Sequence, residues 1–199
     1  MGGSRTRHDQ RKAETRQRLI DAARELIADI GYNRVEILQI TERANVSKAT
    51  FYKHFTNKED CVRELMQRGF DALLAEILNV DHAPPVSPAW VQSSLERIFQ
   101  WAHENRDFLL IMVGGGASSQ LNAFGRSYMA AIIERTLVSD FGAQAAGSDI
   151  PPVVQAQVVT GILIQLLGWW LEHDTGYSAA DMARVVKHTL EMGITPPYA

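Results

Sequence analysis

Apolar residues recur along the chain with the three- and four-residue spacing of amphipathic α-helices. The first such stripe consists of Leu19, Ala22, Ala23, Leu26, Ile27 and Ile30. Gly31 follows it and is predicted to end this helix as a left-handed cap. A short second helix is predicted over residues 37–44, and Asn45 suits a left-handed turn. Ser47 then caps a third helix that runs to about residue 54.

The same spacing predicts six more helices. The fourth follows an Asn57 cap to about residue 79, and the fifth follows a Ser87 cap to about residue 103, after a proline-rich linker at 81–88. The remaining helices are predicted over about 105–113, 121–139 and 151–173, and from a Ser178 cap through the stripe that ends with Thr189. Gly114 to Gly116 and a small, polar loop at 141–149 separate them. No strand pattern and no internal repeat stands out. The sequence predicts an all-α protein of about nine helices.

The eighth predicted helix is apolar nearly all round, with no charge between residues 150 and 171. That length suits a membrane span, but four polar residues interrupt it and no Lys or Arg flanks it. Burial is the favoured interpretation, and no membrane partner is expected. A protein of this size needs a second surface to bury such a helix, and a partner subunit would supply it. Gly161 and Gly168 share a face that permits close helix approach.

The overall composition is ordinary, but the charged residues are distributed unevenly along the chain. The chain has 199 residues, 46% hydrophobic and 22% charged, as in ordinary soluble globular proteins. Its net charge is −3, yet residues 1–63 hold 13 Lys/Arg against 9 Asp/Glu, while the rest hold 7 against 14. A basic front on an acidic body suggests nucleic-acid contact through one end. With Cys61 as the only cysteine and no apolar run after the basic start, a cytoplasmic location is expected.

The exposed face of the third predicted helix carries Lys48, Thr50, Lys53 and His54, with Tyr52 beside them. These side chains can hydrogen-bond to phosphates and base edges and have no evident catalytic use. Two short helices joined by a tight turn, the second basic, are typical of a major-groove DNA reader. The alternative is a charged three-helix unit whose polar face is merely solvated.

Residues 11 to about 65 resemble the N-terminal domain of the TetR family of bacterial transcriptional regulators. The matching residues are Ile20, Ala23, Leu26, Gly31, Tyr32, Ile40, Arg43, Ala44, Val46, Ser47, Lys48, Thr50, Phe51, Tyr52, His54, Phe55, Lys58 and Glu59. Two positions depart from the family pattern. Asn45 replaces the usual turn glycine, and Cys61 replaces the usual leucine, and both residues suit their sites.

The resemblance implies a DNA-binding domain at residues 1–55 and an effector-binding and dimerisation domain at 56–199. The predicted DNA-binding residues are Arg5, Arg7, Arg11, Ser47, Lys48, Ala49, Thr50, Tyr52, Lys53, His54 and Lys58. Tyr52 and Lys58 are expected to contact phosphate, the latter at a helix N-terminus. Arg5, Arg7 and Arg11, with Lys12, are expected to form a flexible basic tail that tracks the backbone or enters the minor groove. Phe51 and Phe55 are expected to pack inward.

The resemblance also implies an apolar ligand cavity between the fifth and eighth helices, although core packing is an alternative for each of its bulky residues. The predicted pocket residues are Phe70, Leu74, Phe99, His103, Phe108, Met112, Phe124, Tyr128, Gln165 and Trp169, with His103, Tyr128 and Gln165 as the polar contacts. A four-helix bundle of the eighth and ninth helices from both subunits would form the dimer. Its predicted residues are Gln157, Gly161, Ile164, Gly168, Met182, Val185, Val186 and Thr189.

Enzymatic function is not expected, because no nucleophile, metal or paired-carboxylate constellation stands out, and no catalytic residue or cofactor is predicted. The histidines lack HExxH or Cys-His spacing, and the triple glycine lacks the Lys and Ser/Thr of a phosphate loop. Cys61 is expected to fill the core, with a redox role as the alternative.

The function expected is that of a homodimeric transcriptional repressor, bound to a double-stranded, pseudo-palindromic operator and released by a small apolar ligand. The alternative is a constitutive DNA-binding dimer that has no small-molecule effector.

Overall fold

The computed structural model describes residues 3–78, 87–106, 109–110, 118–140 and 149–192, with backbone alone at 3–6, 78, 88, 139 and 140. Within these ranges the chain forms eight α-helices and a 3-10 turn at Tyr32–Arg34, and no strand. The helices are α1 (Gly3–Ile30), α2 (Ile37–Arg43), α3 (Lys48–Tyr52), α4 (Lys58–Leu78), α5 (Pro88–Glu104), α6 (Ser119–Asp140), α7 (Pro152–Glu172) and α8 (Ala179–Met192). The predicted all-α fold is confirmed.

Helices α6, α7 and α8 are the seventh, eighth and ninth predicted helices. The predicted sixth helix lies mostly outside the described residues, as do the triple glycine and most of the two predicted loops. Of that sixth helix the structure describes residues 105, 106, 109 and 110, where the Leu109 amide donates to the Asn105 carbonyl at 3.0 Å.

Helices α1 to α3 fold around one apolar core. Leu19, Ile40 and Phe51 are completely buried, and Phe55 is 2% exposed. The rings of Phe51 and Phe55 lie 5.6 Å apart and tilted, so the prediction that both pack inward is confirmed. This packing fixes the short α3, which with five residues has little stability of its own.

Predicted helix caps begin four of the helices. Oxygen atoms of Ser47, Asn57, Ser87 and Ser178 each accept a backbone N–H three residues on, at 2.8–3.2 Å. Asn45 has a φ of 52°, as its place in the turn before α3 predicts. Gly31 differs from the prediction. Its φ of 79° is positive, but its ψ of 149° is extended and not left-handed helical, a conformation essentially confined to glycine.

Helix α4 connects the two parts of the molecule. It packs against α1 on the N-terminal side of the molecule, and against α5 and α6 on the other. Helices α6 and α7 pack closely along their lengths, and so do α5 and α8. The boundary at residue 55 stays a prediction, since α4 belongs by packing to both parts.

Helix α7 has one buried and one exposed face. Its buried residues are Ala156, Thr160, Leu163, Leu167, Gly168, Trp170 and Leu171. Val154, Val158 and Trp169 lie at or near the opposite face and are 47%, 54% and 41% exposed. The helix is long and apolar enough to cross a membrane, and its most apolar window is only 33% buried. One protomer therefore covers only part of this helix.

Candidate nucleic-acid interface

Helix α3 presents a polar face opposite its buried phenylalanine. Ser47, Lys48, Ala49 and Lys53 are exposed. Tyr52 is 51% exposed, while Thr50 and His54 are half-buried. The Ser47 hydroxyl lies 2.9 Å from that of Thr50, so the cap also orients the Thr50 side chain. The residues predicted on this helix are thus exposed or half-buried, and their contact with DNA stays a prediction.

The basic segment before α3 in sequence is helical rather than flexible. Helix α1 begins at Gly3, and Arg7, Arg11 and Lys12 are exposed along it. The predicted flexible tail is therefore wrong for these residues, because they continue the α-helix of the DNA-facing unit. The Arg5 side chain lies outside the described residues.

A cleft of about 370 Å³ separates the start of α1 from the end of α3. Its lining residues are His8, Arg11, Lys12, Thr15, Thr50, Lys53 and His54. Among these described residues three are permanently cationic, two are histidines and none is acidic. The cleft was not predicted, because it arises only when α1 is helical as far as its first turns.

Arg16 lies behind this cleft and joins three elements. Its guanidinium donates to both carboxylate oxygens of Glu64 on α4, at 2.9 and 2.8 Å from Nε. Its Nη1 donates to the His54 carbonyl at 2.6 Å, and its Cζ lies 4.3 Å from the centre of the Phe55 ring. One side chain of α1 thus holds the end of α3 against α4.

Pairing shifts the pKa values of Arg16 and Glu64 so that the ionised form of each side chain is favoured. The hydrogen bond that Arg16 donates to Glu64 raises the pKa of Arg16 above its ordinary value. Burial alone would raise the pKa of Glu64, but hydrogen bonds from Arg16 and Arg68 outweigh it, so that pKa is lowered. Both groups are ionised at neutral pH, as a bidentate pair requires.

His54 is held neutral by its surroundings. Burial lowers its pKa first, and the positive charges of Arg16 and Lys12 lower it further. Its Nδ1 atom is buried and has no hydrogen-bond partner within the described part of the chain. A half-buried imidazole beside a cationic cleft therefore carries no charge at neutral pH in the unbound protein.

Lys58 has a structural role that the sequence did not reveal. Its ammonium donates to the carbonyls of Tyr32 and Val35 at 2.9 and 2.8 Å, and lies 4.2 Å from the centre of the Tyr32 ring. Burial lowers its pKa. These contacts tie the start of α4 to the turn between α1 and α2. Contact with phosphate stays a prediction for Lys58, and only its third N–H lies outside these two bonds.

Predicted ligand-pocket residues separate into two aromatic groups. Phe70 of α4 stacks on Tyr128 of α6 at 5.7 Å, and Phe124 lies 5.6 Å from the same ring. The Tyr128 hydroxyl donates to Asp71 Oδ1 at 2.6 Å. Phe99 of α5 meets Trp170 of α7 edge to face at 5.5 Å. Leu74 is half-buried, and Phe108 and Met112 lie outside the described residues.

The predicted pocket residues His103, Gln165 and Trp169 are exposed. Gln165 and Trp169 line an open cleft of about 220 Å³ on the outer side of α7, and the His103 ring lies 5.9 Å from that of Trp170. Contact of these three residues with a ligand stays a prediction.

Sequence reasoning missed three buried polar atoms of the same domain, Ser94 Oγ on α5, Asn122 Oδ1 on α6 and Thr160 Oγ1 on α7. None of the three has a hydrogen-bond partner within the described ranges. A polar residue inside an apolar helical stripe was the available signal for Thr160.

Predicted dimer residues also divide by exposure. Gln157, Gly161 and Val185 are exposed, and Ile164 and Thr189 are half-buried. Met182 and Val186 are wrong as subunit contacts in this conformation, because they are buried inside the protomer, where α8 packs on α5. Gly168 of α7 is also buried, but it lines an open cleft beside Gln165 and Trp169, so its contact with a partner subunit stays a prediction. The exposed apolar residues that the prediction missed are Val153, Val154, Val158, Leu190 and Met192.

The described residues contain no cluster of three or more His, Cys, Asp or Glu side chains suited to a metal ion. Cys61 is completely buried, and burial raises its pKa to about 12. The redox alternative for Cys61 loses its basis, since a reactive cysteine needs an accessible thiolate.

Comparison with known proteins agrees with this geometry. Residues 19–65 match the family model for bacterial regulatory proteins of the tetR family. They cover the end of α1, all of α2 and α3, and the start of α4. The transcriptional activator FasR of Mycolicibacterium smegmatis is 28% identical over 111 residues, covering 55% of this chain and 51% of FasR. The chain thus spans about half the length of this curated relative.

Solved structures share the whole fold. FadR of Bacillus subtilis, in complex with stearoyl-CoA, has a TM-score of 0.68 at 19% identity, covering 90% of this chain and 99% of that one. FadR of Thermus thermophilus, a repressor in complex with lauroyl-CoA, has a TM-score of 0.71 at 17% identity, covering 92% and 97%. The matched family consists of regulators and not of enzymes, in agreement with the sequence prediction. Residues 19–65 are thus similar to bacterial regulatory proteins of the tetR family, and the chain shares the fold of a solved TetR-family repressor.

Proposed function

We propose that the protein is a homodimeric transcriptional repressor that binds a pseudo-palindromic DNA operator and leaves it when a small apolar ligand binds. The observation that carries the proposal is the exposed polar face of α3, held by a buried core inside the segment that matches the family model. The proposed location is the cytoplasm, with no membrane partner.

The α3 surface divides into two kinds of contact. Lys48 and Ala49 lie in its first turn, where a recognition helix presents side chains to base edges, so we assign sequence selection to them. Tyr52 and Lys53 are exposed at its end and suit backbone phosphates. Phosphate contacts position the domain, and base contacts select the sequence.

The exposed apolar face of α7 and α8 supports the dimer. Val154, Val158 and Trp169 on α7, and Val185 and Met192 on α8, each expose 40% or more of their surface. A patch of this kind is typical of a protein interface. Gly161 lies within the α7 face with nothing within 4 Å of a Cβ placed there, so a partner helix can approach closely. Two α3 helices about 34–36 Å apart would then enter successive major grooves.

The effector would act through α4. Tyr128 of α6 ties to Asp71 of α4, and Arg16 ties Glu64 of the same helix to the end of α3. A ligand that favours a different α6–α4 arrangement would shift the population away from the DNA-binding conformer. Ser94, Asn122 and Thr160 are the proposed polar contacts, since buried polar atoms without partners are costly. The acyl-CoA complexes of the two FadR proteins make acyl thioesters the first candidates to test.

DNA binding is tested with duplexes that the protein selects from genomic fragments. Lys48→Ala should change the preferred sequence, because a base contact is lost, while Lys187→Ala on α8 serves as the control. An unchanged sequence preference in Lys48→Ala would contradict the assignment of Lys48.

The effector is tested by titrating acyl-CoA thioesters and other apolar compounds into the protein–duplex complex. Release of the duplex by one of them supports the proposal. A complex that resists all of them favours the constitutive DNA-binding dimer.

A further inference from the structure

The cleft between α1 and α3 is lined by positive charge, which suits the binding of an anion. Arg11 and Lys12 lie on its α1 side and Lys53 lies on its α3 side, so two independent elements converge on one space. The hydroxyl groups of Thr15 and Thr50 also line it. At about 370 Å³ and open to solvent, the cleft admits a phosphate group that remains attached to a larger molecule.

The main electrostatic obstacle to an anion here is removed by Arg16. The cleft lies at the C-terminal end of α3, where free carbonyls repel negative charge. Arg16 Nη1 donates to the His54 carbonyl at 2.6 Å, which satisfies that acceptor with a cationic donor. Glu64 pairs with the guanidinium from the α4 side and is not among the residues that line the cleft.

His54 is a titratable group that lines this cleft. Lys12 and Arg16 face it from α1, Lys53 precedes it in the chain, and Glu64 faces it from α4. The cations outnumber the single carboxylate, and Nδ1 has no partner within the described part of the chain. The imidazole is therefore neutral before DNA binds, and an adjacent negative charge would favour its protonated form.

We propose that this cleft holds one backbone phosphate of the bound DNA and that His54 takes up a proton when the phosphate enters. The inference rests on the proposed DNA-binding function and extends it to a proton-linked contact made jointly by α1 and α3. Since the bound state holds one more proton than the separate molecules, affinity rises as pH falls through the histidine range. The gain levels off below the pKa that His54 has in the unbound protein.

The test is the pH dependence of duplex affinity for the full chain, measured by fluorescence anisotropy at constant ionic strength. The probe is a duplex selected by the protein itself. We expect affinity to rise by about three- to tenfold between about pH 8 and about pH 6. His54→Gln, whatever its absolute affinity, should lose this dependence, while His188→Gln, at an exposed position of α8 outside the cleft, should keep it. Calorimetry in two buffers of different ionisation enthalpy should detect proton uptake in wild type alone.

The source of the phosphate is tested by two further titrations. A duplex in which a neutral methylphosphonate replaces the contacting phosphate should bind without pH dependence. Inorganic phosphate should leave the pH titration of the His54 ring, followed by NMR, unchanged in the absence of DNA. A shift of that titration by inorganic phosphate would overturn the DNA-backbone assignment.

Equal pH dependence in wild type and His54→Gln, or none in wild type, would overturn the proton linkage while leaving DNA binding intact. Failure to bind any duplex at any pH would instead contradict the proposed function itself.

Discussion

At the scale of single residues, Arg16 is the side chain that most directly fixes the DNA-facing surface. It contacts the end of α3 through the His54 carbonyl, α4 through Glu64, and the buried core through the Phe55 ring. It lies outside the predicted DNA contacts, because nothing in its position on α1 indicates a partner 48 residues away.

Replacing Arg16 by alanine should lower the free energy of unfolding by about 1–2 kcal/mol, since Glu64 and the His54 carbonyl lose a charged donor. It should also weaken duplex binding by displacing the end of α3. Arg18→Ala, an exposed arginine two positions away, is the control for both measurements. Equal effects of the two variants in chemical denaturation and anisotropy would contradict this role.

The same ion pair predicts a pH effect on stability. Because the folded-state pKa of Glu64 is lowered, its contribution is present above the ordinary glutamate pKa and is lost as pH falls through the lowered value. Lowering the pH should therefore reduce the free energy of unfolding more in wild type than in Glu64→Gln. Parallel acid dependence in the two proteins would show that the pair does not stabilise the fold.

Cys61 should be inert in the folded protein. Its thiol is fully buried, and its pKa of about 12 leaves almost no thiolate at about pH 8. Iodoacetamide should label it only after unfolding by denaturant, as followed by mass spectrometry. Labelling of the native protein at the rate of the denatured chain would contradict the burial.

Helix periodicity predicts which residues of one helix are buried, but not the contacts between distant segments. The buried rings of Phe51 and Phe55 and the exposure of Lys48 follow from helix periodicity, which the sequence displays. The bonds from Lys58 to the Tyr32 and Val35 carbonyls do not, because they depend on how a distant turn meets the start of α4. For the same reason the exposure of His103 and Gln165 required the packing of whole helices.

At the scale of elements, the turn between α2 and α3 sets the position of the recognition helix. The Asn45 amide donates to Glu42 and the Val46 amide to Thr41, at 3.1 and 2.9 Å, around a positive φ of 52° at Asn45. Asparagine tolerates this conformation better than other non-glycine residues.

Asn45→Ala should lower the free energy of unfolding by about 1 kcal/mol, because alanine is strained at a positive φ. Asn45→Gly should leave it unchanged or raise it, since glycine has no Cβ to clash. The side chain is exposed, so lost packing does not confound the pair. An alanine variant at least as stable as the glycine variant in denaturant titrations would contradict this account of the turn.

Element boundaries were predictable where a cap or an apolar stripe marked them. The starts of α3, α4, α5 and α8 agree with their Ser or Asn caps. The start of α1 was not predictable, because residues 7–14 are all exposed and a polar helix has the same pattern as a polar tail. The cleft against α3 depends on that extension.

At the scale of the whole molecule, the exposed apolar face of α7 and α8 should hold the dimer together. Val158→Asp places a charge in that face and should convert the dimer to monomers in sedimentation velocity. Val138→Asp is the matched control, since Val138 on α6 is 56% exposed and Val158 54%. Dissociation by both variants, or by neither, would contradict the assignment of this face.

The all-round apolar character of α7 limited prediction at this scale. Periodicity cannot say which of its sides faces α6 and which faces a partner, so Gly168 was assigned outward although it is buried. Likewise, aromatic residues of a core and of a cavity have the same spacing. The structure separates Phe70 and Tyr128 from Phe99 and Trp170 only through packing.

The central claim is that the basic helical front of a dimer binds duplex DNA, and the most direct measurement is duplex affinity as a function of salt concentration. The protein should select genomic fragments with two half-sites about 10–10.5 base pairs apart, or a multiple of that spacing. Its affinity for them should fall linearly as log K against log salt, with a slope of about −0.9 for each phosphate contacted. A monomeric protein that binds no fragment at low salt, or an affinity independent of salt, would contradict the account.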